Sequence, residues 1–457
     1  MRKLTIETRR HSYRALKLCP CVSVVNLFFL TLLLLAPAAG ARRAWDDGDA
    51  GRESAATLEG RLRIFDDVWG QVSERYFDPS FQGVDWEGLR EELRPRAAEA
   101  HGEAELYAVL RRMLGQLRDP HTRVYAPGES PDWRMHRYVS IGVAVRELSG
   151  QIVVTDVERN SEARRAGLRA GDAVVALDGE PTAAVLTRRL AEQNVPGSAA
   201  ARLVAVARLL DGAPGSYVRV TFARAGEKRE REAALRREPR TRVPSFDVRE
   251  EEHGVRVVSF NIFTPEVAAQ FSRALRGELK GARALVIDLR DNGGGETQSM
   301  ADFASALLPA GLSLGRFTDR TGAVWLEPFT RAVLVSSADS FERFGRPVVL
   351  LTGARTASAA EVFAASLRET NRASVIGEAT CGCVLGIRRR HRLPDGGVLD
   401  VSEMDYHTAA GTRLEGAGLR PDVTVEPTRE DLRRRRDRAL ERALEILQDA
   451  RETKARP

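Results

Sequence analysis

Ser358 sits in Thr356-Ala357-Ser358-Ala359-Ala360-Glu361, just where an apolar helix is expected to begin. Its small neighbours leave room for a substrate to reach the hydroxyl. A serine at such a point also serves as a helix N-cap. The two roles are compatible, because a helix N-terminus offers backbone N–H groups to a developing oxyanion. A second feature is Gly293-Gly294-Gly295, which follows Asp288-Leu289-Arg290-Asp291-Asn292 at the end of an apolar run. Such glycines serve either close backbone approach or a tight turn with positive φ. A serine hydroxyl is a weak nucleophile and needs a base. No lysine occurs between Lys280 and Lys454, whereas His101, His121, His136, His253, His391 and His407 follow the first 41 residues. The residue types point to acyl transfer with a base other than a nearby lysine.

These residues need a scaffold, and the chain supplies three kinds of pattern. From about 57 to 125, Leu58, Leu62, Ile64, Phe65, Val68, Trp69 and Val72 recur at helical spacing, and Leu106, Leu110, Met113, Leu114 and Leu117 continue the series. From Tyr138 the pattern becomes short alternating runs, 141–145, 152–154, 173–177 and 218–222, with a turn signal at Asp178-Gly179. Helix-period residues occupy 183–210, interrupted near Pro196-Gly197, and the charged stretch 226–240 closes this unit. From 244 strands and helices alternate: strands at 255–260, 284–289, 347–352 and 374–376, helices at 266–279, 297–308 and 357–367. That alternation predicts α/β architecture. A charged amphipathic helix is expected from Thr428 to about Ala450.

With 457 residues, two or three domains are expected. The formal charge is +6, but residues 1–41 carry six basic side chains against one acid, Glu7, so removing them leaves about +1. A near-neutral chain has no large phosphate-directed field, which argues against nucleic acid. The arginines 433–436 read as a solvated helix face. The basic start, the apolar run 22–36 and the small residues Ala39-Gly40-Ala41 form an export signal, either cleaved before Arg42 or kept as an N-terminal membrane anchor. The chain is therefore expected in the periplasm or another extracytoplasmic compartment, with the inner membrane as the site of any tether. Beyond residue 41 only Cys381 and Cys383 remain, which is no disulfide framework and no four-ligand zinc site.

Two sets of motifs carry a resemblance. Ser161-Glu162-Ala163, Ala166-Gly167-Leu168 and Gly171-Asp172 resemble a circularly permuted, protease-associated PDZ domain. The glycine loop 288–295, the Ser358 turn, Gly377-Glu378-Ala379-Thr380-Cys381-Gly382 and Glu415-Gly416-Ala417-Gly418 with Pro421-Asp422 resemble the carboxyl-terminal processing peptidases, in that family's order. The resemblance spans roughly residues 57–428. It implies a multidomain α/β protein: an N-terminal helical region (56–130), a β-rich permuted PDZ domain (138–240), a crotonase-like (ClpP/crotonase-type) protease core (244–428) and a charged C-terminal segment (429–457). It further implies a serine endopeptidase with Ser358 as nucleophile and an oxyanion hole from the N–H groups of Gly294 and Ala359. Ile141, Gly142 and Val143 would hold a peptide's terminal carboxylate while the peptide adds as a strand. Substrates would be polypeptides with flexible C-termini or unfolded segments, and no metal or organic cofactor is implied.

The family lysine is missing: Cys383 stands in its place. His121, in Asp119-Pro120-His121-Thr122, and Glu415 resemble the histidine and glutamate of the tricorn-like branch. The resemblance then implies a Ser358–His121–Glu415 relay with His121 as general base and Glu415 as its orienting partner. An imidazole, with an ordinary pKa of about 6.5, suits this work near neutral pH. The alternative is a structural His121, since the lysine branch often carries the same four residues there; His391 and His407, read as solvated, are then fallback bases. Glu361 and Glu378 read as structural. Cys383 is a remnant of a lost site, a redox pair with Cys381, or a packed small side chain. The competing function is a catalytically impaired PDZ-containing binding protein or adaptor.

Overall fold

The computed structural model describes residues 53–129, 136–192, 199–332 and 342–455. The expected signal or anchor, with Cys19 and Cys21, lies outside the described residues, as does the interruption at Pro196-Gly197. Among the described residues no helix is long and apolar enough to cross a membrane.

Three helices open the described chain: Leu58–Arg75, Trp86–Glu99 and Glu103–Gly115. Thr57 and Asp85 cap the first two by accepting N–H bonds from Gly60 and Gly88. Ile64, Phe65, Val68, Leu93, Leu106, Leu110 and Met113 face inward together with Leu393, Leu399 and Val401 of a hairpin much later in the chain. The helical reading ran on to 125, whereas the third helix stops at Gly115 and Arg123–Tyr125 is a strand. Pro120 has no N–H to continue a helix. The Asp119 carboxylate instead accepts the N–H groups of His121 and Thr122, at 2.8 and 3.2 Å, making a turn. The strand after it pairs antiparallel with Val398–His407, Arg123 opposite Asp400, which delivers the His121 turn to the core.

The region expected to form a PDZ domain has strands in the spatial order Val143–Leu148, Gln151–Val157, Ala173–Leu177, Tyr217–Ala223, Arg231–Arg236. Helices Thr182–Glu192 and Ala199–Ala207 complete it. The charged stretch 226–240 is more than a closing loop: it holds strand Arg231–Arg236, which turns Ala233 and Leu235 inward and its charges outward.

The core sheet has six strands in the order Phe246–Glu250, Val255–Phe260, Ala284–Asp288, Val348–Thr352, Ala373–Gly377, Val423–Thr424, parallel but for the first. Helices Pro265–Arg276, Thr297–Ser305 and Ala359–Glu369 cover one face, where Phe271 and Phe303 stack at 4.3 Å and Phe363 is fully buried. Helix Arg438–Ala455 lays Ala439, Leu440, Ala443 and Leu447 over Val257, Val286, Val349 and Leu351 on the other. Burial on both faces explains why these strands read as continuous apolar runs. Each such side chain contributes roughly 1.5–3 kcal/mol.

Candidate active site

Strand Val348–Thr352 delivers the chain to a turn that ends at Ser358, the N-cap of helix Ala359–Glu369. Ser358 has φ 55° and ψ −127°, a backbone conformation costing on the order of 1–3 kcal/mol and tolerated where surroundings enforce it. The enforcement is visible. Thr356 Oγ1 donates to the Leu289 carbonyl at 2.7 Å, and Ala357 N–H donates to the Asn292 carbonyl at 3.1 Å. The turn is thereby fixed to the glycine loop.

Gly294, with φ +103°, lies directly against the serine. A Cβ there would come 2.6 Å from Ser358 Cβ and 2.8 Å from the Ala357 carbonyl oxygen, so only glycine fits. Its N–H donates to the side-chain oxygen of buried Asn292 at 2.9 Å. Asn292, which the sequence reading passed over except as part of a motif, thus orients the loop and also donates to the Phe260 carbonyl. Ala359 N–H is the first of the helix, where no intrahelical acceptor exists.

Opposite the turn runs the segment 380–384. Cys383 C=O accepts Ser358 N–H at 2.8 Å, and Cys381 N–H donates to the Thr356 carbonyl at 2.9 Å. Cys381 and Cys383 form a disulfide, so Cys383 offers no free thiol as a base here. Glu361, fully buried, accepts from Thr380 Oγ1, Gly382 N–H, Cys383 N–H and Ser358 N–H at 2.5, 2.8, 2.9 and 3.1 Å. Burial pushes its carboxyl above the ordinary range against the pull of these four donors. It is the hub of the turn, and Ser358-x-x-Glu361 has the spacing of a capping box.

Glu415 reaches the same segment from its other side, accepting Val384 N–H at 2.7 Å. Burial pushes its carboxyl up from 4.5 to about 7, and the charges of Asp119 and Glu361 add to this while His121 opposes it. Glu415 therefore shares an electrostatic environment with both His121 and Glu361 of the Ser358 turn. The folded chain holds this proton more tightly than the unfolded one, so the stability Glu415 contributes is complete below about pH 4.5 and is lost as pH rises through about 7. Glu415→Gln is accordingly expected to melt higher than the parent at about pH 8.5 and close to it at about pH 5. Melting curves with the same offset at both values would contradict this.

His121 is mostly buried, with Nδ1 3.7 Å from Asp119 Oδ1, within ion-pair range but too long for a hydrogen bond. Burial alone would raise the Asp119 carboxyl, but interaction with the His121 ring and the bond from the Thr122 hydroxyl hold it below the usual carboxylate value. Asp119 is a charged partner of His121 that the sequence reading did not assign; its place two residues ahead, as an Asp before Pro, was the available signal. The two fallback histidines differ from expectation. His391 is buried with Nε2 2.7 Å from Glu403 Oε1, across a hairpin, and His407 is half-buried with Nδ1 lacking a hydrogen-bond partner.

In the second, β-rich domain, Ile141 is buried and Gly142 has φ +77°. Gly142 N–H donates to Ser140 Oγ at 2.9 Å, and its carbonyl accepts Glu158 N–H. Val143 begins the edge strand, which among the described residues has one unpaired side. That strand and helix Ala199–Ala207 flank a cleft of about 1590 Å³ lined by Ala144, Val145, Leu203 and Val206 and reaching Gly353 and Glu378 of the core. Arg146 of the strand makes a two-pronged ion pair with Glu378, so Glu378 joins the two domains.

Three sequence profiles match the chain: peptidase family S41 over residues 254–425, the tricorn protease C1 domain over 59–115 and a PDZ domain over 139–235. A carboxyl-terminal-processing protease of Picosynechococcus sp. is 28% identical over 382 residues, covering 78% of this chain and 81% of the relative. A chloroplastic C-terminal processing peptidase of Tetradesmus obliquus is 29% identical over 388 residues, covering 80% and 77%. Among solved structures, the photosystem II D1 C-terminal processing protease superposes with a TM-score of 0.52 at 26% identity, over 80% of this chain and 93% of that one. Mature CPAF complexed with lactacystin superposes at 0.61 with 14% identity, over 82% and 95%, a likeness of fold.

Proposed function

The chain belongs to the carboxyl-terminal processing peptidases, PDZ-containing serine peptidases, and on that premise we propose that Ser358 is the nucleophile, His121 its base and Glu415 the carboxylate that steadies the ring. The observation carrying this reading is the Ser358 backbone, held at φ 55° at a helix N-terminus with Gly294 pressed against it. Ser358 Oγ attacks the substrate carbonyl, and His121 Nε2 takes its proton, since Nδ1 faces Asp119. Asp119, which stays ionised, and Glu415 balance the charge of the protonated imidazole. The N–H of Ala359, joined by that of Gly294 once substrate competes with Asn292, receives the oxyanion. The tetrahedral intermediate collapses as His121 returns the proton to the leaving amine.

The PDZ loop 141–143 takes a C-terminal carboxylate, and the edge strand pairs with the segment behind it. Substrates are flexible or unfolded C-terminal segments of exported proteins. The basic and apolar leader in residues 1–41 supports export to the periplasm or an equivalent space, cleaved or retained as an inner-membrane tether. The adaptor reading draws only on the missing lysine.

The test is cleavage of an unstructured protein such as casein. His121→Ala is expected to lower the rate by roughly 10²–10⁴-fold with the fold unchanged. Full activity in that variant would place the base elsewhere. No cleavage by the parent, even with C-terminal peptides added, would favour the adaptor.

A further inference from the structure

The disulfide occupies the place where the family's lysine would stand, and its backbone contacts reach three parts of the site. Cys383 C=O holds Ser358 N–H, and Cys381 N–H holds the Thr356 carbonyl. Gly382 and Cys383 N–H groups hold Glu361. Just beyond the ring, Val384 N–H holds Glu415, and the Gly382 carbonyl accepts Gly416 N–H at 2.8 Å. Gly382 has φ +69°, and a Cβ on it would meet Gly418 N at 2.8 Å. A glycine between two otherwise free cysteines would leave this segment many conformations; closing the ring removes most of them.

We propose that the Cys381–Cys383 disulfide is a positioning device for the nucleophile turn, so that peptidase activity follows its redox state, high when oxidised and low when reduced. The inference rests on the assignment of Ser358 as nucleophile. The two sulfurs differ in access: Cys381 is half-buried and Cys383 is buried. A thiolate of an external dithiol therefore attacks Cys381 Sγ, and the S–S bond breaks with Cys383 leaving as thiolate. The dithiol's second thiolate then attacks the mixed disulfide, releasing Cys381 and closing the reagent's own disulfide. Two electrons pass to the cysteines, which take up two protons, and the dithiol is oxidised.

The experiment places the full chain in graded ratios of reduced and oxidised dithiothreitol. It follows three quantities: the thiol state by alkylation and mass, the casein cleavage rate, and amide hydrogen exchange over residues 380–384. Reduction is expected to lower the rate about tenfold, given the sensitivity of catalysis to small misplacements. The midpoint for activity should coincide with that for thiol formation, and reoxidation should restore the rate. The double variant Cys381→Ser/Cys383→Ser should be slow at every ratio and insensitive to it. Equal rates in the two verified states would overturn the proposal. So would a disulfide that resists reduction while the chain stays folded, or a redox effect that persists in the double variant. Hydrogen exchange separates this proposal from the catalytic assignment. If neither state cleaves, faster exchange at 382–384 on reduction upholds the positioning role while the peptidase assignment fails, and unchanged exchange overturns the positioning role too.

Discussion

Ser358→Ala is expected to lose peptidase activity by about 10⁴-fold or more while melting close to the parent. The size follows from removing the group that forms the covalent intermediate. What remains is the binding and oxyanion machinery, whose residual catalysis is small beside the complete relay. The unchanged stability follows from the geometry. The bonds that hold Ser358 in place come from its backbone, through Cys383 C=O and Glu361. Alanine keeps that N–H and has a Cβ at the same strained φ of 55°, so no backbone cost is added. A fluorophosphonate reagent should label the parent once per chain and the variant not at all. Cleavage by Ser358→Ala at a rate comparable to the parent would remove this serine from the mechanism.

Glu361→Ala is expected to be the most destabilising single change in the site, on the order of 3–5 kcal/mol. The side chain is fully buried and accepts from four donors. Truncation strands the N–H groups of Gly382 and Cys383 and the Thr380 hydroxyl as buried donors, while Ser358 N–H keeps only the Cys383 carbonyl. These donors belong to the turn and to the segment facing it, so activity should fall together with stability. Glu361→Gln keeps one acceptor oxygen and should lie between. Thermal melting read alongside fluorophosphonate labelling rates checks this. An alanine variant melting within about a degree of the parent would contradict the hub role.

The parts legible in sequence were those whose residue types have few alternative uses. Gly294 had to be glycine because Ser358 lies against it, and Ser358 stood among small residues opening a helix. The core strands declared themselves by continuous apolar runs because both their faces are covered. What stayed hidden depends on partners distant along the chain. Glu403 buries His391 from across a hairpin, and nothing local to Arg389-Arg390-His391-Arg392 signals it. Strand Arg231–Arg236 was concealed because only Ala233 and Leu235 face inward among arginines and glutamates. Glu361 and Asp119 lay within reach of local rules, a capping-box spacing and an Asp-Pro turn, and needed the fold to reveal how much converges on them.

Helix Arg438–Ala455 has a consequence for how the molecule is made. It is synthesised after every strand it covers, and until then Val257, Val286, Val349 and Leu351 present a sticky apolar face to water. A nascent chain halted before residue 438 would have all the chemical groups of the site and an unfinished floor beneath them. Completion of the catalytic domain is thereby tied to the synthesis of this helix rather than to the emergence of its last active-site residue.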